Sequence, residues 1–428
     1  MAFRKNDLIL ALLLVLSVLP NIILLGNNVP VLFLLIPIGL FILFLVVLGR
    51  VTIPKIVKVF LIFFLLIVIE IILSSIIGSV SAFGTFMFPN DVIQYIARFL
   101  CFVCFLLLFF HSKVKTEVFI KLFLIVLIWA MSVGILQWIS WPGQQFFINL
   151  YAFRDGTLQL SQLDRELFER RVHGFAQHAT SNGGIAMFSF VYGFVIFSYF
   201  KKHRFLASIL MCLSVVNIVA SQARAGMIAL AFAFCLLYFL NVYIYKKSLK
   251  PTLKMILGLI GASILCFYLY LKGNPFIVQM VYRWDALLET SGGERADQID
   301  FGLSLMTNIS HYLFGISRVF QSHGGIPFHL EIEFINIYVL YGLLGVILQY
   351  SLVIFLLYYF FVNLKRFSKN PPILTLLVAA LVTLASYQVF SIGYFFFREI
   401  RIGLIPWILM GVTIGVCERY KIKGVQKV

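Results

Sequence analysis

The chain has 428 residues, of which 62% are hydrophobic and only 12% charged; 34 Lys and Arg stand against 17 Asp and Glu, a formal net charge of +17. A soluble domain is about half apolar and a quarter charged. A mean hydropathy of +1.02 therefore excludes a soluble globular chain and points to an all-α polytopic membrane protein, read as a single integral membrane domain over 1–428. The basic excess is no nucleic-acid signature, because no basic stretch is interleaved with exposed aromatics suited to base stacking.

All six cysteines, Cys101, Cys104, Cys212, Cys235, Cys266 and Cys417, lie inside apolar runs. That placement argues against a disulfide framework and against a zinc site. Cys101 and Cys104 form a lone CxxC within an apolar run, a weak redox or metal signal.

A membrane-crossing helix needs about 20 apolar residues. The first run, 8–25, has no clear small-residue cleavage site and many runs follow it, so it reads as a helix rather than a signal peptide. Twelve expected spans begin near residues 8, 29, 57, 93, 118, 183, 205, 225, 253, 333, 372 and 401. Lysine and arginine bias then sets the orientation. Arg4 and Lys5, Arg50 with Lys55 and Lys58, Lys113 with Lys115, Lys201 with Lys202, Lys246 with Lys247, Lys365 with Arg366, and Arg419 with Lys421 all fall on one side. Both termini are accordingly expected in the cytoplasm.

The opposite side is expected to carry two long external segments, 140–182 and 272–332, the second between spans 9 and 10 and holding short amphipathic helices. Arginine dominates there: Arg98, Arg154, Arg165, Arg170, Arg171, Arg224, Arg283, Arg295, Arg318, Arg398 and Arg401, with Lys272 the one lysine. Its planar fork of donors suits phosphate or carboxylate. The plain alternative is pairing with external acids such as Asp285 and Glu289. In the second segment Ser291 and Glu294 have capping-box spacing. Ala296, Ile299 and Leu303 follow at helical spacing, so a short amphipathic helix is expected with Arg295 in its first turn.

Several residues stand out for chemistry. Glu331 and Glu333 precede an apolar run, where acids are costly to bury and mark function, although acids also favour a helix N-terminus through its dipole. Arg224 lies in Ser221-Gln222-Ala223-Arg224-Ala225-Gly226, whose small residues leave its guanidinium reachable by an anion. Snorkelling to the interface is the alternative. His173, His178 and Asn182 cluster before a span, where polar loop packing is the simpler account of each. Glu70 is an acid inside a span, placed to pair with an external arginine such as Arg98 or to meet substrate. Glu331 and Glu333, as an acid-x-acid pair, could also hold a divalent cation with a diphosphate; metal-dependent multi-span transferases tend to place such a pair in the first external loop, which here, Gly26 to Pro30, holds no acid, so no metal is expected. No GxGxxG, P-loop, GxSxG or HExxH motif occurs, which leaves soluble-type nucleotide and protease chemistry unsupported.

On four features the chain resembles the bacterial O-antigen polymerase and O-antigen ligase superfamily of multi-span glycosyltransferases. These are the twelve-span layout with a large late external loop, and Arg171-Val172-His173-Gly174-Phe175 with Asn182 downstream. The third is the Ser221–Gly226 turn, which departs from the family's Ser-x-Ser-Arg-Gly at Ala223 and Ala225. The fourth is Arg295 followed by Leu313-Phe314-Gly315 and by Gly342-Leu343-Leu344-Gly345. Ligases of the family place a His-Asn pair nine residues before the Gly-x-x-Gly. Glu331 and Ile332 stand there in this chain and His329 is two positions off, which tilts the resemblance toward polymerase.

The resemblance implies an O-antigen or surface polysaccharide polymerase of lipopolysaccharide biosynthesis in the cell inner membrane. It would join undecaprenyl-diphosphate-linked oligosaccharides on the periplasmic face, without metal or other cofactor. Membrane lipids and a chain-length regulator protein are the implied partners, and nucleic acid is not among them. Within that frame Glu331 is assigned as catalytic base with His329 in reserve. Arg224, Arg283 and Arg295 bind the diphosphate, and Arg171, His173, Asn182, Glu333 and Arg398 are further substrate contacts. The alternatives are an O-antigen ligase transferring glycan to lipid A core and, in another class, a multi-span lipid-linked sugar transporter. The sparse ionisable groups at mid-membrane and the absence of an internal repeat count against transport.

Overall fold

The structure is a computed structural model and describes residues 5–24, 27–112, 114–151, 171–244, 250–289, 295–320, 330–395, 399 and 401–425. It is helical almost throughout. Helix α1 (Lys5–Leu16) leads to two three-residue strands, β1 (Ile22–Leu24) and β2 (Asn27–Val29), that pair antiparallel with Ile22 opposite Val29. Then come α2 (Leu35–Val47), α3 (Lys55–Phe83), α4 (Asp91–His111), α5 (Thr116–Trp138), α6 (Gln144–Tyr151), α7 (Ala179–Tyr199), α8 (Arg204–Ser221) and α9 (Arg224–Phe239). The second half has α10 (Lys250–Leu271), α11 (Pro275–Glu289), α12 (Arg295–Ser304), α13 (Ile309–Phe314), α14 (Ser317–Phe320), α15 (Glu333–Arg366), α16 (Pro371–Phe390) and α17 (Leu404–Val425).

A helix begins within a few residues of each of the twelve expected starts. Among the described residues, eight helical stretches are long and apolar enough to cross a membrane: α3, α4, α5, α7, α8 with its preceding 3-10 turn, α9, α15 and α16. The chain is thus a polytopic membrane protein. Helices α1 and α2 are shorter than expected, 12 and 13 residues, or roughly 18–20 Å against a hydrocarbon core of about 30 Å. Pro20 explains the early end of α1, since the residue before a proline is driven out of the helical region.

Burial divides the helices into an inner and an outer set. Helices α7 and α16 are enclosed over most of their length and carry apolar residues on all sides, as buried helices do. Helix α3 lies outside them and leaves Ile62, Leu65 and Ile69 exposed. Lipid is the medium in which that stripe costs nothing.

The feature that joins the late segment to the bundle is a break inside α15. Gly342 sits at φ +62°, ψ −168°, a conformation essentially closed to residues with a Cβ. The turn between α13 and α14 fills the break. Gly315, at φ +78°, lies against the backbone of Leu340 and Tyr341, while Gly342 lies against that of Leu313 and Phe314. The carbonyls released by the break are recaptured: Ile316 N–H donates to Val339 O at 2.9 Å and Ser74 Oγ donates to Leu340 O at 2.5 Å. Leu313-Phe314-Gly315 and Gly342-Leu343-Leu344-Gly345, read separately along the chain, are therefore two halves of one contact.

Below this contact Gly345 faces the Glu70 carboxylate, which is 3% exposed. Among the described residues Glu70 forms no ion pair, so the expected partnership with Arg98 is not made. Arg98 instead lies over the Tyr95 ring at 5.2 Å and reaches the Gln94 side chain.

Gly342→Ala is expected to lower stability by about 2–4 kcal/mol, because its Cβ would meet the Leu313 carbonyl as well as the left-handed penalty. Gly49→Ala, at φ +70° with open space around it, should cost only about 1 kcal/mol. Thermal unfolding in detergent compares the two, and equal melting temperatures would contradict the account of the break.

Candidate functional site

Four arginines from four separate segments line one cavity of about 290 Å³: Arg171 ahead of α7, Arg224 at the start of α9, Arg283 on α11 and Arg295 at the start of α12. The remaining wall includes Gln222, Thr180 and Gly393.

The geometry begins at the α8–α9 turn. Gln222 ends α8 in the left-handed region at φ 50°, which reverses the chain in two residues and sets Arg224 as the first residue of the next helix. The first turn of α9 thus enters the cavity wall, with the unsatisfied N–H groups and positive dipole end that favour an anion. Ala223 and Gly226 pack directly on Gly183 of α7. The small residues therefore serve helix packing in addition to leaving the guanidinium accessible.

Three of the guanidiniums donate to neutral acceptors. Arg224 Nη1 donates to Arg283 O. Arg283 Nη1 donates to Gln222 Oε1 at 3.4 Å. Arg171 Nε donates to Ser221 O at 3.2 Å and its Nη2 to Thr180 Oγ1 at 3.2 Å. Bonds of this kind fix direction without cancelling charge.

Arg295 is held differently. Its Nη2 donates to Glu331 Oε2 at 2.8 Å and to Gly393 O at 3.1 Å. Glu331 is anchored in turn by its own backbone N–H, which donates to Gln298 Oε1 at 3.0 Å. Its side chain remains 38% accessible. Burial raises the Glu331 carboxyl above the usual range, while the charges of Arg295, Arg224 and Arg171 pull it back.

Arg171, Arg224, Arg283, Arg295 and Glu331, all singled out from sequence, are thus brought to one place. Others are not. Glu333, two residues beyond Glu331, opens α15 and lines a separate and largely apolar cavity with Arg98, Tyr95 and Gln349. The two acids therefore do not form a pair for one ligand. His173 and Asn182 are buried behind Arg171 at 2% and 0% exposure. Asn182 Nδ2 donates to Val172 O and to Asn217 Oδ1, and Gln137 Nε2 donates to Gly174 O. Asn182 and Gln137 brace the segment that carries Arg171, and His173 is buried within it, which is the polar packing weighed for them above. His329 and Arg398 lie outside the described residues.

Sequence reading passed over Gln222, Thr180, Gln298 and Gly393. Gln298 had a signal, since it lies one helical turn from Arg295 on the same face of α12. Gly393 had none, because only the packing of the α16 end brings its carbonyl to Arg295.

The fold and this cavity define a polytopic membrane protein with an arginine-lined cavity. No protein-family model matches the chain, and no curated protein sequence matches it.

Burial, reinforced by the Arg401 charge, pushes the His173 ring down to about 4. A histidine depressed in the folded state contributes stability fully above its unfolded value of about 6.5 and loses it as pH falls toward the folded value. The wild type should therefore lose up to roughly 3 kcal/mol between about pH 6.5 and pH 4 that His173→Gln does not lose. Parallel melts across that range measure the difference, and superimposable pH profiles would refute it.

Proposed function

We propose that this protein is a surface polysaccharide polymerase, a metal-independent glycosyltransferase that joins undecaprenyl-diphosphate-linked repeat units at the external face of the cell inner membrane. The observation that carries the reading is the convergence of Arg171, Arg224, Arg283 and Arg295 on one cavity beside Glu331. In this reading the chain crosses the membrane twelve times with both termini cytoplasmic, and a chain-length regulator is a natural partner.

The chemistry needs few groups. The acceptor sugar hydroxyl attacks the anomeric carbon of the glycan held on the lipid diphosphate. The bond from that carbon to the phosphate oxygen breaks, the diphosphate leaves with its added negative charge, and the hydroxyl proton passes to Glu331. Guanidiniums fixed before the reaction stabilise the leaving charge without reorganising. A carboxylate within hydrogen-bond reach of the hydroxyl acts as general base. The raised Glu331 carboxyl makes it a stronger base than a solvated one. The place of Glu331 in register with Gly342, where ligases of the resembling family carry a histidine, favours a repeat unit over lipid A core as acceptor.

In a polymerase-deficient cell, Arg224→Ala and Glu331→Gln should each reach the membrane at wild-type level and lose the long-chain glycan ladder. Loss of one guanidinium corresponds to about 10²–10³-fold in rate. A normal ladder from both variants would overturn the reading.

A further inference from the structure

Glu333 opens onto a second cavity, a slot of about 80 Å³ between α3, α4, α15, α16 and α17. Tyr95, Arg98, Glu333 and Gln349 make part of its wall polar, while Phe64, Leu356 and Met410 belong to the apolar remainder. The volume has room for roughly five to eight groups of water size, enough for the upper part of one hydrocarbon chain and too little for two. Tyr350 and Val353 of the wall are partly exposed, and Ile354 beside them is 64% exposed. The slot therefore adjoins the side of α15 that faces the bilayer.

Its polar groups are specific in sign and direction. Among the described residues, Arg98 and Glu333 are the two charged members of the wall, 4% and 7% exposed. Their signs are opposite, so a head group of net negative charge that met Arg98 would also stand beside Glu333. A head that carries both signs meets each residue with its opposite. Two neutral donors complete the wall. Gln349 Oε1 accepts from the Tyr95 hydroxyl at 2.7 Å, which turns its Nε2 the other way, and that Nε2 is buried without an acceptor among the described residues. Trp407 Nε1 is buried in the same condition. Its indole is fixed by edge contacts with Phe64 and Phe102, at 5.5 and 6.0 Å between ring centres. Buried N–H groups in a hydrocarbon setting require an acceptor. An ester carbonyl at the head of an acyl chain is the acceptor that a bilayer offers.

We propose that this slot binds one zwitterionic phospholipid. An acyl chain fills the apolar part, ester oxygens accept from Gln349 and Trp407, the phosphate lies against Arg98 and the ammonium against Glu333. The site is separate from the arginine-lined cavity, so its failure would leave the preceding reading untouched. The slot is walled by α3 and α15, the two helices that Ser74 ties together at the Gly342 break. A bound chain that touches both holds them together and should raise the melting temperature.

Dioleoyl phosphatidylethanolamine and dioleoyl phosphatidylglycerol are the probes. Native mass spectrometry of the whole, delipidated protein in detergent counts the lipids retained, and melts in the same detergent follow stability. Wild type should retain one phosphatidylethanolamine, about tenfold more tightly than phosphatidylglycerol, and melt higher with it. Trp407→Phe keeps a ring and removes the N–H, and it should bind phosphatidylethanolamine roughly tenfold more weakly than wild type. Glu333→Gln should bind the two lipids alike. Melts without lipid separate a loss of fold from a loss of binding, and the wild-type comparison decides whether or not a variant folds. Equal retention of the two lipids by wild type, or a preference for phosphatidylglycerol, would overturn the proposal. So would a preference for phosphatidylethanolamine that survives Glu333→Gln, or an unchanged affinity in Trp407→Phe.

Discussion

A backbone carbonyl released inside a bilayer has no water to turn to, and the structure depends on how that demand is met at Gly342. The break there frees the end of one helical turn of α15. The N–H of Ile316 and the hydroxyl of Ser74 supply the missing donors. Two helices and a turn from distant parts of the chain are thereby locked together, and the lock is specific, because Gly315 and Gly342 each accept the other's neighbouring backbone at a distance no Cβ would allow. An apolar sequence alone could slide; unsatisfied carbonyls cannot.

The cationic cavity follows from that lock. Helices α11 and α12 hang between α10 and the docked α13–α14 turn, and they contribute Arg283 and Arg295. Helix α15 starts nine residues ahead of Gly342, and Glu331 lies two residues before that start. The remaining wall comes from the α8–α9 turn and from the Arg171 segment, both held by α7. Four like charges in one cavity repel, so their arrangement rests on packing, on neutral hydrogen-bond acceptors and on the Glu331 carboxylate. A ligand of opposite charge is the natural complement of such a site.

Among the described residues, Glu331 is the carboxylate that meets this cluster. Paired with Arg295, it lowers the self-repulsion of the guanidiniums. Two opposed electrostatic influences act on its carboxyl, burial in one direction and three guanidiniums in the other.

Much of this was legible along the chain. Hydrophobic runs located the helices, because a bilayer crossing demands an apolar length that few other structures require. Small residues around Arg224 marked a tight turn, and the spacing behind Arg295 marked a short helix. The acid-x-acid spacing of Glu331 and Glu333 does not mark a shared site, since a helix start lies between them; Glu333 lines the apolar cavity while Glu331 pairs with Arg295. For His173 and Asn182 both polar packing and substrate contact stayed open along the chain, because a polar residue that braces a buried turn looks the same in sequence as one that meets substrate. By itself, then, the sequence determined the solvent, the helix positions and the identity of the charged groups, all of which are local properties of composition and period. Only the tertiary structure decided which charges share a cavity, that Leu313-Phe314-Gly315 closes on Gly342, and that Glu331 is already bound to Arg295. Those depend on residues tens to hundreds of positions apart meeting within a few ångströms, and no periodicity encodes such a meeting.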